Sequence, residues 1–213
     1  MNKLTFLLTI CLLLFSCGSE KKNESEANQA EPITETNQIQ QTVASSKKLF
    51  GIESAHIKFI NKVGDQELIR EWWFDQHGQR QYEENFMVIM GEKSGSKSLY
   101  IQGYQYQWDI DSDAGNKIKF AQTATDYQNI SQNEIERYGI KVLGQEKFLG
   151  KDCLKVSMES PAKSTIWVWN NIPLKTESVF GRMNVLIEAT EIVVGKIDGS
   201  KFEIPSHISF SDI

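Results

Sequence analysis

Residues 55–74 have the sequence AHIKFINKVGDQELIREWWF, and this stretch shows the pattern that most of the chain follows. Apolar residues occupy every second position from Ala55 to Phe59, which is the two-residue period of a β-strand. This strand is expected to stop near Gly64, and a second strand is expected over 68–74. The folded part of the chain is therefore predicted to begin with β-strands.

The same period continues to the end of the chain. Further strands are expected at 82–90, 98–110 with a break near Gly103, 117–121, 141–148, 153–159, 164–169, 174–180, 183–194 and 201–204, with a turn over 109–116. Ser131–Glu134 is a capping box, so a short helix is expected over 135–138, ended by Gly139. Nine or more strands and one or two short helices predict an antiparallel, mostly-β fold.

Aromatic residues recur at even positions between 100 and 110. They are Tyr100, Tyr104, Tyr106 and Trp108. In one extended strand they would share a face, and a tyrosine hydroxyl is better placed at a wet cavity wall than in a dry core. The alternative for any one tryptophan is ordinary core packing.

Two other strands add to this aromatic surface. Trp72 and Phe74 share a face of their strand, with Trp73 on the opposite side, and the segment 166–169 is apolar on both faces. We therefore predict an aromatic-lined cavity that binds a hydrophobic ligand. The candidate lining residues are Trp72, Phe74, Tyr100, Tyr104, Tyr106, Trp108, Trp167 and Trp169.

The N-terminus has the features of a secretion signal. Lys3 precedes an uncharged run of twelve residues, LTFLLTICLLLF at 4–15, whereas a membrane-spanning helix needs about 20 apolar residues. The run ends in Leu14-Phe15-Ser16-Cys17, which resembles the bacterial lipoprotein box. The resemblance implies cleavage after residue 16 and lipid attachment to Cys17, and Gly18 at the next position favours the outer membrane. An ordinary secretory signal with an incidental cysteine is the alternative.

The segment 17–46 then carries the predicted lipidated cysteine and an acidic tether. It is rich in Glu, Asn, Gln, Ser and Thr and has no aromatic residue, so it cannot bury enough apolar surface to fold. The spacing of apolar residues from Ile39 to Phe50 predicts a helix ended by Gly51. The predicted organisation is a signal peptide at 1–16, the lipidated tether at 17–46 and one domain at 47–213.

The composition excludes several functional classes. The chain has 213 residues and a net charge of −5, which argues against a nucleic-acid partner. The three histidines, at 56, 77 and 207, lie far apart, and no metal-ligand spacing, nucleophile elbow or phosphate loop occurs. We therefore predict no catalytic residue, metal or cofactor. Cys153 is the remaining thiol, either a buried hydrophobe or a reactive site.

Several motifs carry a family resemblance. Residues 144–153, GQEKFLGKDC, resemble the hairpin G-x-E-x-(V/F)-L-G-(K/R)-x-(C/A) of the LolA-like, outer-membrane lipoprotein-sorting superfamily. Residues 167–175, WVWNNIPLK, resemble W-x-W-x-x-I-P-L-K in uncharacterised members, and 50–55 and 74–78 resemble turns of similar lipoproteins. The resemblance implies a half β-barrel: a curved antiparallel sheet with one to three short helices on its concave side and a hydrophobic hollow. Its characterised relatives bind acyl chains or lipidated polypeptides.

These observations predict a membrane-anchored envelope lipoprotein that binds an acyl chain, a lipid or a lipidated peptide without catalysing a reaction. Its expected partners are the membrane, through the lipid on Cys17, and the hydrophobic ligand. The alternative is a structural or interaction lipoprotein with a filled interior, which docks a protein partner through its sheet.

Overall fold

The computed structural model describes residues 48–213, so the predicted signal peptide, Cys17 and the tether lie outside the described residues. The described chain forms twelve strands, the helix α1 (Gln132–Tyr138) and two 3₁₀ turns, Gln76–Gly78 and Gly199–Phe202. The strands are β1 (Ala55–Val63), β2 (Gln66–Asp75), β3 (Arg80–Ile89), β4 (Glu92–Ile101), β5 (Tyr104–Asp109), β6 (Ala114–Lys119), β7 (Lys141–Phe148), β8 (Lys151–Met158), β9 (Lys163–Trp169), β10 (Ile172–Phe180), β11 (Met183–Val194) and β12 (Ser209–Asp212).

All twelve strands belong to one curved, open sheet with the order β12-β6-β5-β4-β3-β2-β1-β11-β10-β9-β8-β7. Neighbouring strands are antiparallel except β12 and β6, which are parallel. β1 pairs with β11, so the first and eleventh strands join the two halves of the sheet. The predicted mostly-β, curved antiparallel architecture is confirmed.

The predicted helix is also confirmed, and its ends explain its position. The Ser131 hydroxyl accepts the Glu134 N–H at 3.3 Å, and the Glu134 carboxylate accepts the Ser131 N–H at 2.9 Å. Gly139 ends the helix in the left-handed conformation, with φ 63°, which glycine adopts without a Cβ penalty. The helix therefore begins and ends where local sequence favours it.

Several predicted boundaries are wrong. The segment 201–204 is not a strand: Gly199–Phe202 forms a 3₁₀ turn, which buries Phe202, and the last strand follows at Ser209–Asp212. Strand β6 begins at Ala114, inside the predicted turn, and β4 begins at Glu92, ahead of the predicted strand. In the predicted helix over 39–50, Leu49 and Phe50 form bends and Lys48 has no regular structure, and the rest lies outside the described residues.

The buried apolar residues form three clusters. The Trp72 cluster contains Leu49, Phe50, Ala55, Ile57, Phe59, Trp72, Phe74, Cys153, Trp167, Ile172, Leu174 and Ala189. The Trp108 cluster contains Tyr82, Leu99, Trp108, Phe202 and Ile208. The Tyr127 cluster contains Tyr127, Ile140, Val156, Ile166 and Val168. Because Trp167 and Val168 of β9 belong to different clusters, the prediction that β9 is covered on both sides is confirmed.

Candidate ligand-binding site

The structure brings together half of the predicted lining residues. Trp72, Phe74 and Trp167 are members of the Trp72 cluster, and Trp169 packs against it. The other four lie elsewhere. Trp108 belongs to the Trp108 cluster, Tyr106 packs against that cluster, Tyr104 contacts Tyr106 with ring centroids 6.4 Å apart, and Tyr100 contacts Phe120 at 5.3 Å.

The prediction that Tyr100 shares a face with Tyr106 is wrong because a turn separates them. Gln102 and Gly103 both have positive φ, 53° and 79°, and they reverse the chain between β4 and β5. Tyr100 pairs with Gln105, and Leu99 pairs with Tyr106. Paired residues share a face, so Tyr100 lies on the opposite face of the sheet from Tyr106.

Aromatic rings dominate one side of the Trp72 cluster. The Phe50 ring meets Trp72 edge-on at 5.2 Å and Phe74 at 4.8 Å, and Trp72 and Phe74 lie 5.1 Å apart. These centroid distances are in the range of favourable aromatic pairs. The Trp72 indole N–H donates to Gln81 Oε1 at 3.1 Å, so its one polar group is satisfied. The result is a buried aromatic cluster whose contacts are apolar.

Arg70 forms a polar border to this aromatic surface. Its guanidinium lies 5.1 Å from the centre of the Phe59 ring and 4.9 Å from that of Trp72. Its Nη2 donates to Glu83 Oε1 at 2.6 Å, whereas its buried Nε has no hydrogen-bond partner in the structure. The positive charge of Arg70 is therefore balanced by Glu83 at the edge of the cluster.

The segment 48–53, which has no helix or strand, covers the cluster. The N–H groups of Leu49 and Phe50 donate to the His77 carbonyl at 3.0 and 3.1 Å. The Gly51 N–H donates to the Asn170 carbonyl at 2.8 Å, and the Asn171 side-chain amide donates to the Leu49 carbonyl at 2.8 Å. Two turns of the sheet, and no strand, therefore hold this segment.

Sequence reasoning missed Leu49 and Phe50 as site residues. Both are only 6% exposed and belong to the Trp72 cluster. The Phe50 ring lies so close to the backbone at Gly78 that a Cβ there would be 2.5 Å from it. One feature of the sequence could have indicated their burial: Leu49 and Phe50 are a pair of apolar residues just after the polar tether.

Two clefts flank this segment, with volumes of about 140 and 190 Å³. Leu49 and Ala124 line both clefts. The smaller cleft adds Gln79, Gln122 and Thr123. The larger adds Lys48, Phe50, Gly51, Asp126, Gln128, Asn129, Asn170 and Asn171. None of the eight predicted lining residues lines either of these clefts.

Ionisable groups elsewhere in residues 48–213 form no group of three that could hold a metal ion. His56 stacks on Trp73 at 4.4 Å, and its Nε2 lies 3.0 Å from Glu71. Burial lowers the pKa of His56, although the hydrogen bond with Glu71 opposes the shift. Burial also raises the pKa of the Cys153 thiol.

Within residues 48–213 no helix is long and apolar enough to cross a membrane.

Comparison with known proteins supports the fold. No family model and no curated protein matches the sequence. The fold is similar to that of an uncharacterised conserved protein from Thermus thermophilus, with a TM-score of 0.55 and 9% identity over 76% of this chain and 91% of that chain. At this identity, the likeness concerns the fold alone.

Two further solved structures have lower scores. The first is Pseudomonas aeruginosa MucB in its complex with MucA, with a TM-score of 0.48 and 11% identity over 73% of this chain and 56% of that one. The second is the LolA superfamily protein NE2245 from Nitrosomonas europaea, with a TM-score of 0.32 and 9% identity over 72% of this chain and 91% of that one.

Proposed function

We propose that this chain is a bacterial envelope lipoprotein that is held on the outer membrane by lipid on Cys17 and binds a hydrophobic ligand. The ligand class is an acyl chain, a lipid or a lipidated peptide, and no reaction is involved. Because an anchored protein cannot cross the periplasm as a soluble carrier, its role is that of a local receptor.

The Trp72 cluster carries this proposal. It joins Trp72, Phe74 and Trp167 in one apolar surface, and an irregular segment rather than a strand covers part of it. A hydrocarbon chain gains about 0.8 kcal/mol for each buried CH₂ group. Because these residues are buried, an acyl chain reaches them only when the covering segment moves, and the exposed cluster then offers it apolar contacts.

A matched pair of variants tests the proposal. Trp72 and Trp108 are buried to a similar degree, 5% and 7% exposed, but belong to different clusters. We expect acyl species to be extracted from the native full-length protein, to be lost in Trp72→Ala and to be retained in Trp108→Ala. Organic extraction removes non-covalently bound acyl species but leaves the covalent anchor on the protein, and mass spectrometry identifies the extracted species. Circular dichroism checks that each variant is folded. Absence of acyl species from the parent, or equal loss in both variants, would contradict the proposal.

A second candidate function is docking of a protein partner through the edge of the sheet. Strand β7 is paired only on its β8 side, and most of its residues are exposed. Val142 and Leu143 are 61% and 54% exposed, and an open strand edge can accept a further strand. A photo-crosslinking residue at Leu143, but not at the exposed Glu92, is expected to capture a defined protein in intact cells if this function is the correct one.

A further inference from the structure

We propose that Leu49 and Phe50 are a plug, and that the space which they fill is the binding site for one acyl chain. This inference rests on the proposed function and makes it more specific. The site lies against Trp72, Phe74 and the backbone of Gly78. In the plugged state the two side chains stand in for the hydrocarbon of the ligand.

The contacts of Phe50 show what kind of group this space accepts. Its ring touches Trp72 edge-on at 5.2 Å and Phe74 at 4.8 Å, and the backbone of Gly78 lies beneath it without a side chain. Every one of these contacts is apolar. A methylene chain in the same position would replace the buried apolar surface of the Phe50 ring.

The plug can leave without opening the sheet. Its backbone bonds go to His77 and to the turn at Asn170–Asn171, and no ladder of the sheet includes residues 48–53. A strand of the sheet is paired along its length, whereas this segment is held at two turns. Displacement of the segment therefore leaves every strand pairing intact, which is the property expected of a removable element.

The two clefts indicate the path of the ligand. Leu49 and Ala124 line both. Because Leu49 also belongs to the Trp72 cluster, its movement would open these clefts toward the aromatic surface. The larger cleft also contains Lys48, Gln128 and Asn129, which can receive a polar head group. The ligand class is therefore a single-chain amphiphile with its tail at the Phe50 position.

The first experiment measures binding of cis-parinaric acid, a fluorescent fatty acid, to the full chain carrying Cys17→Ala, so that the protein's own acyl groups do not compete. If only a small fraction of the protein is in the open state, the plug weakens the apparent affinity by that fraction. A variant without the plug side chain should recover this loss, and we expect about a tenfold gain in affinity for Phe50→Ala. The matched control is Phe202→Ala. Phe202 is 2% exposed but belongs to the Trp108 cluster, so this variant is expected to bind within about twofold of the parent.

A second variant covers the case in which Phe50→Ala does not fold. Asn171→Gly removes the amide that donates to the Leu49 carbonyl, and glycine accepts the positive φ of 65° at this position. We expect this variant, like Phe50→Ala, to bind cis-parinaric acid more tightly than the parent does. Unchanged or weaker binding by both folded variants would overturn the plug.

Proteolysis provides a readout on the parent itself. Lys48 is exposed and directly precedes the plug, so displacement of Leu49 is expected to speed trypsin cleavage after Lys48 when parinaric acid is added. Protection of that bond by the fatty acid would overturn the plug. If the parent binds the probe and the variants do not differ, only the plug is wrong. If neither the parent nor any variant binds, the proposed function is wrong as well.

Discussion

Trp72 and Trp73 are neighbours on β2, yet they pack in different clusters. Trp72 is a member of the Trp72 cluster, whereas Trp73 packs against the Trp108 cluster and lies 5.5 Å from Tyr82. Successive side chains of a strand point to opposite faces. Strand β2 therefore has aromatic packing on both of its faces.

We expect the two tryptophans to differ in their contribution to stability. Trp72 is 5% exposed, so Trp72→Ala should lower the free energy of unfolding by about 3 to 5 kcal/mol. Trp73 is only partly buried, so Trp73→Ala should cost less. Urea denaturation measures both. Equal losses would contradict the separation of the two packing environments.

Stability is expected to fall as the pH drops below about 6.5, the ordinary pKa of a histidine side chain in an unfolded chain. Burial lowers the pKa of His56 in the folded protein, so the unfolded chain binds more protons in this range. The stabilising contribution is present above the unfolded pKa and is lost on acidification. Urea titrations at neutral and mildly acidic pH measure the change. His56→Gln should flatten the dependence, and an unchanged dependence in that variant would show that other groups cause it.

The Arg70–Glu83 pair is expected to be coupled. Arg70→Met leaves the Glu83 carboxylate, whose side chain is 13% exposed, without its cationic partner, which should cost about 1 to 3 kcal/mol. Glu83→Gln alone and the double variant complete a thermodynamic cycle. We expect the double variant to lose less than the sum of the single losses. Additive losses would mean that the ion pair contributes no interaction energy.

Gly95 is required where β4 approaches β3. A Cβ at this position would overlap the carbonyl oxygen of Asn85, so Gly95→Ala should destabilise the protein by about 1 to 3 kcal/mol. Gly199→Ala is the control because a Cβ there meets nothing within 4 Å. The denaturation midpoint is the measurement. A comparable shift in both variants would point to chain entropy rather than to the close approach of the strands.

Cys153 is expected to resist alkylation in the folded protein. The residue is fully buried, and burial raises the pKa of its thiol, so little of the reactive thiolate is present or accessible. Iodoacetamide labelling followed by peptide mapping should therefore modify Cys153 only after denaturation. Rapid labelling of the native protein would identify Cys153 as a reactive site instead.

Local signals in the sequence were sufficient for much of the fold. The two-residue period of 55–74 and the Ser131–Glu134 capping box depend on neighbouring residues, and both predicted the right elements. The face on which Tyr100 lies depends on the two-residue turn between β4 and β5. This turn changes which residue numbers share a face, so the even numbering of Tyr100 and Tyr106 did not predict it correctly. The position of Phe202 depends on a cluster built from distant strands.

The same distinction applies to the candidate site. Trp72, Phe74 and Trp167 were predicted from strand patterns, and the fold brings them into one cluster. Leu49 and Phe50 were missed because their burial arises from turns at His77 and Asn170, which are remote in sequence. Contacts of that kind depend on the completed sheet rather than on local periodicity.

The neighbouring positions of β1 and β11 also affect how the chain can fold. Thr190 on β11 donates to the Lys58 carbonyl on β1, across 132 residues of sequence. The two halves of the sheet therefore cannot join until nearly the whole domain is available. Pairings between such distant segments slow folding because a long loop must close before any contact is gained. During synthesis or export, the chain would therefore pass through a stage with two incomplete sheets, in which β1 pairs only with β2 and β11 only with β10.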